Sequence, residues 1–549
     1  MLTRASYDAT KLGGALRSNL RGAVRDDAAS RGLYAVDASN YRVVPDLVVV
    51  PADAEDLAAA VALTAAAGAP VTLRGGGTSM AGNAIGGVVI DASRHVNRIL
   101  GIDTDARTAT VQPGVVLTDL LAATRPLGLT FGADPSSASR ATLGGMIANN
   151  ACGAHSVAWG TTADNVRSLD AILVDGTRCT FESRGDRAGL ADRPGREGEL
   201  HRHLQAFADE HELAIRRRFG LFTRQIAGYA LHRLLPEHGY NVAGLLCGSE
   251  GGFAATLQAT VALTPLPAAR VLCVLGFSDS ISSAECVPVV LAHSPLTMES
   301  INVDLVDRLP GEVRRAATAA GLPAGRAWLL VEMGGEDRVA AEASAEKMLA
   351  ALRDSGSSAS ASLVADPAAQ AVLWRCRTDA AGLATRRADG AEAWGGWEDA
   401  AVPPDRLADY LRGLDDLMAT YGYSGAYYGH FGEGCMHMRV DFDLLSVRGI
   451  AAYRSFVEAA TDLVVSLGGS VSGEHGDGRS RSELLGRMYG SDGLALLAEM
   501  KHIWDPGRLM NPGVIVDPPP LDEGIRHVGP AKDRKLLTLF AYPLSLIHI

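Results

Sequence analysis

An α+β protein of more than one domain is what this sequence predicts, and three observations carry that expectation. From Pro45 onward, short β-branched runs alternate with Ala-rich helical stretches. A Pro-containing run, Thr264–Pro267, breaks the alternation and marks a domain boundary. Beyond it, strand-like Val271–Phe277 and Ala327–Met333 alternate with Ala-rich helices such as Glu342–Ser355, which suggests an α+β domain with an antiparallel sheet. At 549 residues the chain exceeds what one hydrophobic core serves, so two or three domains are expected.

The elements follow in order. Residues 1–40 read as a polar, helix-like lead-in. Leu47–Val50 is a β-branched strand, and Asp53–Ala67 is an Ala-rich helix with Asp53 as its capping acid. Val71–Arg74 is a strand running into glycines, and Val88–Asp91 is another. Thr108–Gln112 alternates like a half-buried strand, and Leu117–Leu127 reads as a helix. Asp170–Asp175 and Arg178–Phe181 flank Gly176 in hairpin fashion. The charged, Gly-rich stretch Ser183–Glu199 reads as a surface loop, and 200–235 as helical. A Gly-rich turn, Gly248–Gly252, then precedes the strand Thr256–Leu263, and Ser355–Ser362 is a loop of small residues.

Bulk properties narrow the function classes. Hydrophobic residues make up 47% and charged residues 21%, as in soluble globular proteins. A net charge of −12 argues against a nucleic-acid face and against polybasic attachment to anionic lipid. Seven scattered cysteines, never spaced CxxC, argue against a disulfide framework or an iron–sulfur cluster within these residues. The N-terminus lacks a signal-peptide core, and no run reaches the ~20 apolar residues of a membrane span. The expected location is cytoplasmic, with peripheral association at the inner membrane left open. The apolar ending KLLTLFAYPLSLIHI reads as a truncated boundary, with non-native residues at its very end.

Two short segments hold most of the chemistry. GHFGEGCMH (Gly429–His437) and SGEHGDG (Ser472–Gly478) gather three histidines and two glutamates onto glycine-rich turns. His430, His437 and Glu474 form a two-His, one-carboxylate metal set, and His475 beside them is placed to move a proton. A His-x6-His pair alone is more often incidental, and the second segment is what raises the metal reading.

Upstream, RGGGTSMAGNA (Arg74–Ala84) follows a strand. Its glycines turn backbone N–H groups inward to form a nest for phosphate oxygens, while Thr78 and Ser79 add hydroxyls. Alone, this loop reads equally as a tight turn. A second small-residue loop, DPSSASRATLGGMIANN (Asp134–Asn150) followed by ACGAHSVAWG, would let a flat ring system approach the main chain.

Taken together, RGGGTS, DPSS…ATLGG…ANNACG, GSEGGF (Gly248–Phe253) and DPGRLMNPG (Asp505–Gly513) resemble the FAD-linked oxidoreductases of the vanillyl-alcohol oxidase fold. The branch they resemble is the D-2-hydroxyacid dehydrogenases, acting on D-lactate, glycolate or D-2-hydroxyglutarate. The resemblance covers about residues 40–515. It implies a two-subdomain, PCMH-type FAD-binding domain over 41–266, followed by an α+β substrate domain with a C-terminal helical segment over 267–515. Residues 1–40 would be a lead-in, and 516–549 a linker and tail.

The resemblance also implies roles residue by residue. FAD, bound non-covalently, would rest its diphosphate on Arg74, Gly75, Gly76, Gly77, Thr78 and Ser79. Pro135, Ser136, Gly144, Gly145, Asn149 and Gly153 would form the second FAD loop, with Glu250 and Gly251 near the cofactor and Asn511 at the ring end. His155 and Cys152 lie where some members tether flavin. His430, His437 and Glu474 would ligate a divalent metal, zinc or manganese, with His475 as the base. Arg377, in LWRCR, would bind the substrate carboxylate. Many relatives have GDGNLH where this chain has GEGCMH, which puts the role of that Asn in doubt at Cys435. GGWEDAAVPP lacks a Lys that some relatives carry, which leaves Arg386 or Arg387 to compensate. Tyr427 and Tyr428 would line the pocket or pack in the core.

The chemistry asks for this set. A 2-hydroxy acid must lose its hydroxyl proton and a hydride from the same carbon. A divalent cation polarises the hydroxyl, a neutral histidine takes the proton and the flavin N5 receives the hydride. The acceptor of the electrons would be an iron–sulfur module, a quinone or an electron-transfer protein, since the motif spelling resembles the branch fused to an iron–sulfur module. Two competing readings are a non-redox transferase of the same fold, of the alkylglycerone-phosphate synthase kind, and a flavin-binding subunit without chemistry of its own.

Overall fold

The computed structural model describes residues 7–387, 390 and 392–526. The expected truncated ending lies outside the described residues, as do the first six residues of the lead-in.

Three main sheets organise the chain. The first joins β1 (Ala23–Arg25), β2 (Leu47–Val50), β3 (Val71–Arg74) and β4 (Val88–Asp91) in the order β1-β2-β4-β3. Strands β2, β3 and β4 run parallel, because a helix, Ala54–Ala66, carries the chain from β2 back to the start of β3. Asp53 caps that helix as expected, its carboxylate accepting the Asp56 N–H at 3.0 Å. Nearly every side chain of β2 and β4 is buried, which suits their continuous β-branched runs.

The next strands are β5 (Ile99–Asp103), β6 (Thr108–Val111), β7 (Leu129–Thr130), β8 (Val166–Leu173), β9 (Arg178–Glu182), β10 (Ala254–Ala262) and β11 (Thr264–Pro265). Five of them form an antiparallel sheet in the order β5-β6-β10-β8-β9, and β11 pairs with β7. The expected helix at Leu117–Leu127 ends at Thr124 and tightens into a 3₁₀ turn, where Pro126 removes a backbone donor.

Two local expectations are corrected. Ser183–Glu199 is not one loop: a short helix, Arg187–Ala191, sits inside it, and a helix starting at Gly195 runs to Arg218. Pro194 supplies the extended backbone before that start, a signal hidden by the surrounding charges. The helical reading of 200–235 fails after Arg218, where Gly220 and Gly228 adopt positive φ and the chain becomes a loop with 3₁₀ turns. Tertiary contacts hold that loop, as described below.

The third sheet holds β12 (Ala269–Phe277), β13 (Thr297–Asn302), β14 (Ala327–Gly335), β15 (Ser360–Val364), β16 (Ala400–Ala401), β17 (Gly425–His430) and β18 (Cys435–Val440). Its order is β15-β12-β14-β13-β17-β18-β16, and every pairing is antiparallel, as the sequence leads one to expect. The closing helix, Leu485–Trp504, is followed by a return to the first sheet, where Val71 N–H donates to Leu509 O and Asn511 N–H to Val71 O. The tail of the C-terminal half thus stitches the two halves together.

A second stitch carries charge. The His155 imidazole meets Asp134 Oδ2 at 2.6 Å and lies 3.6 Å from Glu332 on β14, which Arg270 also reaches at 3.1 Å. Burial opposes a charge on His155, but the two carboxylates outweigh it and raise its pKa from 6.5 to about 9. Its stabilising share is therefore complete below pH 6.5 and lost as pH rises through about 9. Burial works against the Glu332 charge too, yet His155 and Arg270 hold its carboxyl below the usual range. That share is present above pH 4.5 and lost on acidification. A His155→Gln variant is expected to lose roughly 3 kcal/mol at about pH 6, with the deficit shrinking toward about pH 10. Urea melts across that range check it, and a deficit independent of pH contradicts it.

Candidate active site

The β17–β18 hairpin places the two histidines by register. Tyr428 pairs with His437 and His430 with Cys435, so all four side chains emerge on one face of the sheet. Gly434 closes the turn at φ 69°, and a Cβ there would lie 1.9 Å from Val402 O. On the neighbouring strand Ser300 pairs with Gly429, which brings Glu299 opposite His430 one step along.

Glu474 and His475 come from a turn shaped by Asp399. One oxygen of Asp399 accepts the backbone N–H groups of Gly473, Glu474 and His475 at 3.1, 3.1 and 2.8 Å. This nest of donors around one buried carboxylate turns both side chains toward the hairpin.

The result is a convergence on one atom. Glu474 Oε1 lies 3.4 Å from His430 Nε2, 3.0 Å from His437 Nε2 and 3.3 Å from His475 Nε2. Each imidazole has its other edge on an acceptor. His430 Nδ1 meets Glu299 Oε1 at 2.6 Å, and His437 Nδ1 donates to the Glu398 carbonyl at 2.7 Å. His475 Nδ1 faces Glu398 Oε1 at 3.4 Å and Asp399 Oδ1 at 3.8 Å. With the Nδ1 edges so committed, all three Nε2 edges face one anionic oxygen, and a cation that displaced the Nε2 protons of His430 and His437 would meet two imidazoles and that carboxylate. That is the donor set of a divalent cation, with carboxylate and carbonyl groups behind the imidazoles. A tighter grouping exchanges His430 for Asp399 and His475, with ligand atoms of Asp399, His437, Glu474 and His475 all within 4.8 Å of one another.

The charges of the site are tuned by burial and by each other. Burial opposes the His430 charge, but Glu299 and Glu474 outweigh it and lift its pKa to about 9. Burial pushes His437 down. His475 is raised well above 6.5 against its burial, by Asp399, Glu398 and Glu474. Glu474 is held well below the carboxylate range despite its burial, chiefly by His430.

Several functional side chains escaped the sequence reasoning. Arg224 is fully buried, donating to Glu474 Oε2 at 3.0 Å and to Gly153 O at 3.2 Å, and pairing with Glu433. Glu398 pairs with Arg481 and faces His475. The clue lay in acidic residues spelled into apolar runs, GGWEDAAV and HFGEGCMH, where a carboxylate needs a use.

Arg377 donates from one Nη to Glu299, and its Nε has no hydrogen-bond partner among the described residues. The Tyr428 ring lies 6.0 Å from its guanidinium. Arg387 is taken by Asp441. Tyr428 borders the site, 5.4 Å from the His437 ring, whereas Tyr427 bonds Asp415. Cys435 is buried with its thiol 3.7 Å from Asp399 Oδ1, and all seven cysteines are free.

The two glycine loops meet where the sequence places them. A cleft of about 70 Å³ is lined by Arg74, Gly75, Thr142, Gly144, Gly145, Ser249 and Gly251, among others. A Cβ on Gly76 would lie 2.1 Å from Arg140 O, so only glycine lets the loops approach this closely. Thr78, Ser79, Pro135 and Ser136 lie on the same two loops, and Ser79 bonds Asn83. Asn149 Nδ2 donates to His475 O at 3.1 Å, tying the second loop directly to the metal-type cluster. Glu250 turns the same way. Its carboxylate accepts the N–H groups of Asp477 and Gly478 at 2.6 and 3.0 Å and the Asn83 amide at 2.6 Å. Asn511 Nδ2 donates to the carbonyls of Asn83 and Glu250 at 2.8 and 2.7 Å. Glu250 thus braces the Glu474–Gly478 turn, Asn511 ties Glu250 to Asn83, and Gly251 lines the cleft.

Residues 45–182 match an FAD binding domain, and residues 266–515 match the FAD linked oxidases, C-terminal domain. The chain belongs to the FAD-linked oxidases. It is 31% identical over 528 residues to a D-2-hydroxyglutarate dehydrogenase from Pseudomonas putida, covering 93% of this chain and 52% of that protein. It is 26% identical over 495 residues to the glycolate oxidase subunit GlcD from Bacillus subtilis, covering 89% and 93% of the two chains. A solved p-cresol methylhydroxylase shares the fold, with a TM-score of 0.65 at 14% identity over 92% of this chain and 96% of that one. This chain spans about half the length of the D-2-hydroxyglutarate dehydrogenases it matches. The FAD-linked oxidase assignment agrees with the glycine loops, whose close approach suits a dinucleotide. His155 meets Asp134 through Nδ1 at 2.6 Å, and its Nε2 lies 3.6 Å from Glu332. Among the described residues, no helix is long and apolar enough to cross a membrane.

Proposed function

We propose that this chain oxidises a D-2-hydroxy acid to its 2-oxo acid, using non-covalent FAD and a divalent cation held by His430, His437 and Glu474. The observation that carries this reading is the meeting of three imidazole Nε2 atoms on one carboxylate oxygen, with Asn149 of the FAD loop bonded to the same turn. Relatives named for D-2-hydroxyglutarate, glycolate and D-lactate support the substrate class.

When bound, FAD supplies a two-electron acceptor at N5 and the cation, zinc or manganese, supplies Lewis acidity. The protein does the rest. His475, made neutral once a cation at Glu474 offsets the carboxylates around it, would take the substrate hydroxyl proton on Nε2, with Glu398 and Asp399 behind its Nδ1 as the orienting acids. The Glu299–Arg377 pair and the Tyr428 ring form a wall on the hairpin side. Arg74, Gly75–Gly77, Thr78, Ser79, Pro135, Ser136, Gly144, Gly145 and Gly153 form or support the cofactor loops. The electrons then pass to a separate acceptor, an iron–sulfur centre, a quinone or a carrier protein.

The test is anaerobic titration of the flavin-loaded protein with D- and L-lactate, D- and L-2-hydroxyglutarate and glycolate, with and without chelator. The reading expects bleaching by a D-acid or glycolate that chelator suppresses and added metal restores. No bleaching by any of them ends the proposal, and leaves the non-redox transferase.

The cofactor loop has its own test. Gly76→Ala forces a Cβ against Arg140 O, so the variant is expected to purify with less than about a tenth of the parent's flavin while keeping its fold. Absorbance at 450 nm against protein content checks it, and a parental ratio contradicts it.

A further inference from the structure

We propose that Glu299, clamped by Arg377, is a positioning residue of the metal centre, holding His430 with its Nε2 turned toward Glu474. The inference rests on the metal reading above and adds a member that is not itself a ligand.

Glu299 is fully buried on a strand of the third sheet, and an idle carboxylate there is costly. It is not idle. Oε1 takes the Nδ1 edge of His430 at 2.6 Å, and Oε2 takes an N–H of Arg377. An ionised carboxylate only accepts hydrogen bonds, so the hydrogen of that contact sits on Nδ1 and the ring is fixed at one edge. Nε2 is left 3.4 Å from Glu474 Oε1, on the side where His437 and His475 also point.

Arg377 explains how the carboxylate stays in place. The guanidinium is nine-tenths buried, and its Nε has no hydrogen-bond partner among the described residues, so Glu299 is its main anchor. The Tyr428 ring lies beside it. The order Arg377–Glu299–His430 is the arrangement by which outer groups orient metal-bound imidazoles, and loss of such a group typically weakens metal binding about 10–100-fold.

The experiment titrates Co²⁺ into flavin-loaded, metal-stripped protein, reading affinity and the visible d–d absorption. Parent, Glu299→Ala, Glu299→Gln and His437→Ala are compared. The expected result is one Co²⁺ in the parent and about 10–100-fold weaker binding with a shifted band in Glu299→Ala. Glu299→Gln, whose amide oxygen still accepts from Nδ1, is expected to regain most of the loss, a recovery that a merely structural role would not give. Parental affinity and band in Glu299→Ala, alongside lost binding in His437→Ala, overturn this inference and leave the metal reading standing. A parent that binds no Co²⁺ overturns both. Should Glu299→Ala not fold, Arg377→Met, which frees Glu299 to swing off His430, must shift the band, and an unshifted band overturns the proposal.

Discussion

An Arg224→Met variant is expected to unfold about 3–5 kcal/mol more easily than the parent, because two buried carboxylates lose their shared cation. Arg224 has no exposed surface and holds Glu433 and Glu474 together beneath the site. Without it, one of the two must take up a proton or draw in water, and Glu474 then loses the charge that a cation would meet. Metal affinity is therefore expected to fall together with stability. Arg224→Met combined with Glu433→Gln removes one of the stranded charges and is expected to recover part of the loss. Urea melts and metal titration of the three proteins check this, and a single variant within about 1 kcal/mol of the parent contradicts it.

The second large effect concerns the turn rather than the ligands. Asp399→Ala strands three backbone donors, one buried and two part-buried, a buried one costing about 1–3 kcal/mol when left unmet. The Glu474–His475 segment then loses the group that bends it toward the hairpin. A displacement of about 1 Å at such a site costs on the order of 10²-fold in rate. The rate of anaerobic flavin reduction by substrate is expected to drop by at least that factor while flavin content stays at the parental level. Stopped-flow reduction with a D-2-hydroxy acid checks it, and an unchanged rate would show that the turn holds its shape without Asp399.

Much of the fold was legible because its signals are local. Asp53 announces a helix start, β-branched Leu47–Val50 and Val88–Asp91 announce buried parallel strands, and Gly434 with Gly432 announces the hairpin between two histidines. The failures share a cause. The loop after Arg218 has helix-forming spelling, but Gly220 and Gly228 and distant partners decide it: Ile226 N–H donates to Ser472 O, and Gly228 N–H to Asp477 Oδ2 at 2.6 Å. Such contacts, separated by about 250 positions, leave no periodicity to detect.

The site divides the same way. His430, His437, Glu474 and His475 were visible as residue types on glycine-rich turns, since metal and proton chemistry draw on few side chains. Their supports were not. Arg224, Glu299 and Asp399 lie in unrelated stretches and become functional only through register and burial. Arg377 was expected from the resemblance, while its partner Glu299 had no signal in the sequence. Glu250 was placed near the cofactor by its motif, and the contacts of its carboxylate with Asp477 and Gly478 could not be read from that motif.

The measurement closest to the central claim is an anomalous difference map from crystals of the flavin-loaded protein grown with Mn²⁺ or Zn²⁺. The account predicts one strong peak about 2.0–2.2 Å from the Nε2 atoms of His430 and His437 and from an oxygen of Glu474. No peak there, or imidazoles swung away from that carboxylate while the ion sits elsewhere, would contradict it.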